Sequence, residues 1–448
     1  MRTGARVLAC LLLPASFVVA DGAASAAPRV SSVELVETTG FRQAQSPVSA
    51  REPVRRAKAH PKLVSMTRWR GTALGRGHFS HVHRAKGGIV IGPRPTRVMY
   101  DDPHGPTGRR AYDRGRWTSP WVRPGFGFTQ LIASYNASTP VGTFIEISAR
   151  ARTVTGHRGS WDSLGRWAGH DRAFHRMSLG AQRDDVARVA VDTVIARSGT
   201  RLSAWQLRLS LFRRADSGRT PVVAMTGAVA SRLPGSSPTS RPGSGAGHSL
   251  VVPRYSQEIH RGEYPQYNGG GEAWCSPTST SMVMGFWHRL PSRKQYSWVN
   301  RAYDDRWVDH AARYTYAWGY DGTGMWPFNT AYAARYGLDA FVTRLRSLRE
   351  AELFIKAGIP LVASISFGRG QLDGAPISAT SGHLVVIRGF TADGRVVVND
   401  PAAPSNAGVR RVYRRDQFEN AWSDNGGVVY VMHPRSKALP APAHHSNW

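Results

Sequence analysis

The sequence predicts a multidomain chain, an all-β sandwich followed by an α+β domain, and three observations predict it. Residues 67–233 are short runs of alternating apolar and polar residues, cut by Gly, Pro, Asp and Ser. Residues 234–247 read PGSSPTSRPGSGAG, the composition of a linker. Residues 248–433 mix helical and strand-like patterns, the texture of an α+β fold.

The 448 residues suffice for two domains with cores of their own. Arg2 and Arg6 precede the apolar run VLACLLLPASFVVA, and small residues follow through Ala24-Ser25-Ala26. That is the pattern of a secretory signal peptide over residues 1–26, and the run is short of the ~20 apolar residues a membrane span needs. The expected product is secreted, with no transmembrane span after signal removal. Residues 27–66, with REPVRRAKAHPK at their heart, are polar and unpatterned and read as a flexible basic leader.

Within 67–233 the strand-like runs are GGIVIG, FTQLIASY, GTFIEISARA, VARVAVDTVIA and AWQLRLSLF. In the last, Trp205, Leu207, Leu209 and Leu211 alternate with Gln206, Arg208 and Ser210, the period of a half-buried strand. The turn residues fall at intervals expected of a sandwich. Trp117, Trp121, Trp161 and Trp167 lie near Gly or Pro, placed either to stack on sugar rings or to plug the sandwich ends. After the linker, MVMGFWHRL and LREAELFIKAG read as helices, and IPLVASISF, HLVVIRGF and RVVVND as strands. Residues 434–448 read as a tail.

A formal net charge of +29, mostly from Arg, suits contact with anionic partners. The basic residues are spread out and accompany no nucleic-acid motif, so no specific nucleic acid is expected. A cell-surface polymer or polysaccharide held by the β-sandwich is the partner that charge suggests. Neither cofactor nor metal is called for: the histidines are scattered, and Asp304, Asp305 and Asp309 do not match a calcium loop.

The chain has two cysteines, and Cys10 leaves with the signal peptide. An exported protein that keeps one thiol, Cys275, has no intramolecular disulfide to make with it. Cys275 is the second residue of WCSPTSTSMVMGFW, Trp274 to Trp287, where Pro277 fits a first helical turn and Met282, Val283, Phe286 and Trp287 recur at helical spacing. The N–H groups and dipole at a helix start favour a thiolate, which is the useful nucleophile. The bland alternative is a small apolar residue packed beneath the helix. A cysteine nucleophile needs an imidazole base and a group that orients it. In SGHLVVIRGFTADGRVVVNDP, His383 opens an apolar strand and residues 391–394 read as a turn. With an even loop pairing Phe390 to Arg395, Asp400 lies opposite Val385, on the face that His383 shares. An odd loop would break that relation.

The stretches VPRYSQ, the Cys275 helix, SGHLVVIRGF and VVVNDPA, from Pro253 to about Val431, resemble the bacteriocin-processing, or double-glycine, cysteine peptidase-like family of the papain-like superfamily. The resemblance implies a papain-like α+β fold with Cys275 as nucleophile, His383 as general base and Asp400 as its orienter. Gln257 matches the family's upstream Gln and would donate to the oxyanion beside the backbone N–H of Cys275. Gln266, in the approach loop PQYNGGG, is the fallback. Ser276 stands where the family usually has Gly, which puts closeness of substrate approach in question. Bacteriocin-trimming members are fused to membrane exporters, and this chain shows neither membrane helices nor a GxxxxGK loop, so their substrate is not carried over. The expected function is a secreted cysteine peptidase-like hydrolase that cleaves an amide through a thioester. An acyltransferase or wall-peptide amidase with the same triad, or an inactive papain-like binding protein, are the alternatives.

Overall fold

Alternation in the first half of the chain sorts its side chains onto two faces, and two sheets result. The computed structural model describes residues 61–442 apart from 181 and 184, and residues 446–448. The expected signal peptide and nearly all of the expected leader lie outside the described residues. One antiparallel sheet is centred on strands Gln130–Ser138 and Val222–Arg232, the other on Thr143–Thr153 and Leu202–Arg214. Trp205, Leu207, Leu209 and Leu211 are all fully buried, as their alternation requires. Trp69 from the first sheet meets Trp117 and Trp205 of the second edge-on, at 5.6 and 5.7 Å between rings, so the inner faces form one core. Trp117 and Trp167 belong to that core, and Trp117 donates Nε1–H to the Leu74 carbonyl. Sugar stacking by these two is therefore ruled out by burial.

The second half is a mixed domain. Its antiparallel sheet runs, in spatial order, Leu338–Arg344, Val428–Pro434, Leu361–Phe367, Thr380–Phe390, Val396–Asn399 and Arg410–Tyr413. Helices α1 (Cys275–Phe286), α2 (Trp307–Thr315), α3 (Trp326–Ala334), α4 (Leu348–Lys356) and α5 (Arg415–Asp424) accompany it. Every residue of α1 except Phe286 is buried, so α1 is the domain's central helix and not a surface one. No helix among the described residues is long and apolar enough to cross a membrane.

The Ser/Gly/Pro stretch 234–247 is not a loose tether. Ser240 donates its N–H and hydroxyl to Glu419, the Gly243 N–H goes to Glu352, and Arg415 bonds both Ser240 O and Glu352. Small residues leave backbone donors uncovered, and two buried carboxylates take them up. The described residues accordingly form one compact unit. Between its halves, Asp339 accepts from Arg70 at 2.7 Å and from Asn136 at 3.1 Å. Fully buried Arg176 donates to the Arg313 carbonyl, while Arg313 pairs with Asp171 at 2.7 Å. The final residues also turn back: Asn447 bonds Glu350 and the Arg344 carbonyl, and Trp448 packs on Phe354.

Candidate active site

The thiol stands at the first residue of α1. Trp274 precedes it as N-cap, and the first helical bond runs from Thr278 N–H to Trp274 O at 3.0 Å. The hydroxyls that follow are structural ties. Ser276 Oγ pairs with Tyr430 OH at 2.9 Å, Ser279 Oγ donates to Leu384 O at 2.8 Å, and Thr280 Oγ1 donates to Asn329 at 3.2 Å. The serine that replaces the expected glycine thus turns its side chain into the core. The Ser279 bond is the useful one for the site, because Leu384 directly follows His383.

A small pocket reaches Cys275 between Gly382 and Leu384 on one wall and Gly322, Gly324, Tyr320 and Trp326 on the other. His383 sits between Gly382 and Leu384, on the strand forming that wall. Of the tryptophans in this half of the chain, Trp326 lines this pocket. Trp298, Trp307 and Trp318 instead pack around Trp274 and Tyr316.

His383 Nε2 and Asp400 Oδ1 are 2.7 Å apart, and both residues are buried. The register that brings them together differs from the simple hairpin expected. Phe390 pairs with Val396, which leaves a five-residue loop, and the register then shifts by one between Ile387 and Gly389. Val386 consequently faces Asn399, and Asp400 arrives at the level of Val385. The odd loop would have turned Asp400 away; the extra residue, a β-bulge at Arg388, turns it back.

Asp400 Oδ2 accepts from Tyr413 OH at 2.8 Å, and Oδ1 also accepts the Ala402 N–H at 3.1 Å. Burial alone would raise this carboxyl's pKa, but His383 and these donors hold it below the ordinary range, as an anion. The Tyr413 hydroxyl is pushed well up, by burial and by Asp400. Sequence reading missed Tyr413, and its four-residue strand Arg410–Tyr413 carries no signal that could have found it.

Gln257 is buried and belongs to the same locus. Its N–H donates to Pro401 O at 2.8 Å, just past Asp400, and its Nε2 donates to Glu272 O at 2.6 Å, three residues before the thiol. Gly270, at φ +111°, and Gly271 make this approach workable. A Cβ on Gly271 would lie 2.4 Å from Gln257 O and from the His260 carbonyl carbon. Gln266 is exposed on the preceding loop. The Glu272 carboxylate lies 3.3 Å from Arg261.

Behind Trp274 is a second polar cluster that sequence reading did not assemble. His260 Nδ1 lies 2.8 Å from Glu263 and 3.4 Å from Asp309, and the His260 ring is 6.0 Å from that of Trp274. The three offer one nitrogen and two oxygens within 4.8 Å of one another, so they are the group among the described residues able to hold a metal ion. A shared proton serves the same charges.

Residues 65–231 match the family model described as Peptidase C39 N-terminal domain, and residues 249–430 match the one described as Peptidase_C39 like family. No curated protein matches the chain.

Proposed function

Because the chain belongs to the C39 cysteine peptidase-like family, through an N-terminal and a peptidase-like region in series, we propose that it is an exported, papain-like cysteine peptidase working through Cys275, His383 and Asp400. The observation that carries the reading is the buried 2.7 Å bond between His383 Nε2 and Asp400, on the strand that walls the Cys275 pocket. With Nε2 turned to the carboxylate, Nδ1 is the nitrogen that takes the thiol proton. The Cys275 sulfur then attacks the amide carbonyl carbon. The resulting oxyanion is met by the Cys275 backbone N–H, at a helix start, and by the Gln257 side-chain amide. His383 returns its proton to the leaving amine as the C–N bond breaks, and a thioester remains. Water, deprotonated by the same imidazole, hydrolyses the thioester and restores the thiol.

The pocket favours a narrow substrate. Three glycines and two aromatic rings surround the thiol, so the segment at the scissile bond is one with small side chains, in a peptide or a wall-peptide amide. Ser276 does not support an inactive protein, since its side chain bonds Tyr430 and leaves the approach to the thiol clear. Export rests on the signal-like start of the sequence.

A thiol-directed activity probe tests the reading. Cys275 is expected to be labelled, with protection by a leupeptin-type competitor and loss of labelling in Cys275→Ala. Labelling no faster than that of a free cysteine in a peptide would overturn the nucleophile assignment and the enzyme with it.

A further inference from the structure

The peptidase chemistry leaves unused the outer face of the second sheet in the N-terminal domain. With Trp205, Leu207, Leu209 and Leu211 turned into the core, Gln206, Arg208 and Ser210 must face outward. Register then fixes their neighbours. Gln206 lies opposite Arg150, Arg208 lies opposite Thr118, and Ser210 lies opposite Arg116. His78 and Ser80 extend this face, paired with Thr118 and Arg116. Three strands thus bring Arg116, Arg150 and Arg208 to one surface, where they line an open cleft with His78, Ser80 and Trp161.

The arginines are held in a stack. Trp161 has the Arg208 guanidinium 4.4 Å from its ring centroid and that of Arg150 at 4.5 Å. Trp121 has Arg150 at 5.2 Å and Arg152 at 4.7 Å. The order is Arg208, Trp161, Arg150, Trp121, Arg152, alternating cation and ring. Arg150 is fixed further by two bonds to the neutral Gln206 Oε1, at 2.9 and 2.7 Å. The outward positions of strands Arg110–Thr118, Thr143–Thr153 and Leu202–Arg214 carry one carboxylate among the described residues, Glu146. It is taken by Arg166 at 2.7 Å. The Nε–H groups of Arg116, Arg152 and Arg208 are buried with no hydrogen-bond partner among the described residues. Burial, with the neighbouring Arg116, holds Arg208 below its usual range. Like charges have been crowded and oriented around a single carboxylate, Glu146, which Arg166 already engages and which offsets the charge on Arg208 only in part.

We propose that this face is a binding site for a linear phosphodiester polymer without bases, a polyol phosphate, gripped through its backbone phosphates. Guanidinium forks match phosphate oxygens, and successive forks match successive phosphates. Arg116 and Arg208 reach one cleft from adjacent strands. The two non-bridging oxygens of a phosphodiester diverge tetrahedrally and can engage both forks at once. The faces of Trp121 and Trp161 are occupied by arginines, which leaves little for a nucleobase or neutral sugar ring to stack on. The chain is recognised by its charge.

The test is binding of the full chain to poly(glycerol phosphate), followed across salt concentration, with polygalacturonate, single-stranded poly-dT and neutral dextran as comparators. Arg116→Gln/Arg208→Gln is compared with Arg289→Gln/Arg293→Gln, which removes equal charge at exposed positions of the other domain. Thermal unfolding and Cys275 labelling of each variant confirm an intact fold. The expected result is a tenfold or greater loss of poly(glycerol phosphate) affinity in the face variant, a shallower salt dependence, and little change in the control. Equal losses in the two variants would reduce the effect to net charge and overturn the site. Tighter binding to poly-dT or polygalacturonate, or no binding at all, would overturn the assignment of the ligand.

Discussion

His383 and His260 are both buried beside carboxylates, within the same domain, yet their surroundings are built in opposite ways. His383 meets one carboxylate, and that carboxylate is fully engaged by Tyr413 and the Ala402 N–H besides. Asp400 therefore stays an anion in spite of burial and orients the ring. His260 turns one nitrogen to two acids, Glu263 and Asp309, and neither Asp309 oxygen accepts a hydrogen bond among the described residues. Burial pushes the Asp309 carboxyl up to about 6. Burial opposes charge on His260 as well, but the two acids override it and raise its pKa to about 9. One anchored carboxylate orients an imidazole whose proton must move. Two carboxylates on one nitrogen pin the proton in place. On the proposed reading, the base is the histidine with one anchored acid and the structural histidine is the one shared by two.

Exchanging the two histidines in turn gives the largest contrast. His383→Ala should abolish turnover while thermal unfolding stays close to wild type; His260→Gln should retain most of kcat. Equal loss of kcat in both would erase the distinction. Next in size is Gln257→Ala, for which a drop in kcat of roughly 10²-fold is expected, the scale of one oxyanion donor. Unchanged turnover would turn attention to Gln266. Asp400→Asn should cost less than His383→Ala, since an amide oxygen still accepts from the ring and the base itself remains. A pH–rate profile checks this, because the variant should lose the activity that an anionic Asp400 confers without losing the His383 limb.

Much of this was legible in the sequence. Alternation at Trp205–Leu211 gave a strand with a buried face, and the lone thiol at a helix start gave the candidate nucleophile. The face relation of His383 and Asp400 also emerged, though for an incomplete reason: an even loop was assumed, and the structure has an odd loop corrected by a bulge at Arg388. Bulges follow from backbone fit between particular strands, and sequence periodicity does not report them. Composition misled at 234–247, because Gly and Ser describe freedom only until buried acids such as Glu352 and Glu419 claim the backbone donors. The coupling of the domains was likewise invisible. Asp192, in the β-domain, accepts the Trp326 N–H at 3.0 Å at the start of α3 and so braces a wall of the Cys275 pocket. Such a contact joins residues 134 apart in the chain and leaves no local pattern. The catalytic half expressed alone is therefore expected to lose activity, contrary to what a loose linker would allow.

The smallest expected effect is on stability, and it sharpens the comparison where activity cannot. His260 rises from an ordinary 6.5 to about 9 in the folded protein. A raised histidine contributes its full stabilisation below 6.5 and loses it as pH climbs toward 9. Linkage puts the contribution at roughly 3 kcal/mol. The raised Asp309 carboxyl acts in the same sense at lower pH, since ionising it in the fold is disfavoured as pH rises through about 6. Asp400 acts in the opposite sense: its depressed pKa supplies stability that is lost only as pH falls into the acid range. His260→Gln should therefore lower Tm most near pH 6, and the gap to the wild type should close as pH approaches 9. Thermal unfolding at a series of pH values measures it. A gap that stays constant with pH would mean that His260 contributes packing alone, and that its proton is not what holds Glu263 and Asp309 together.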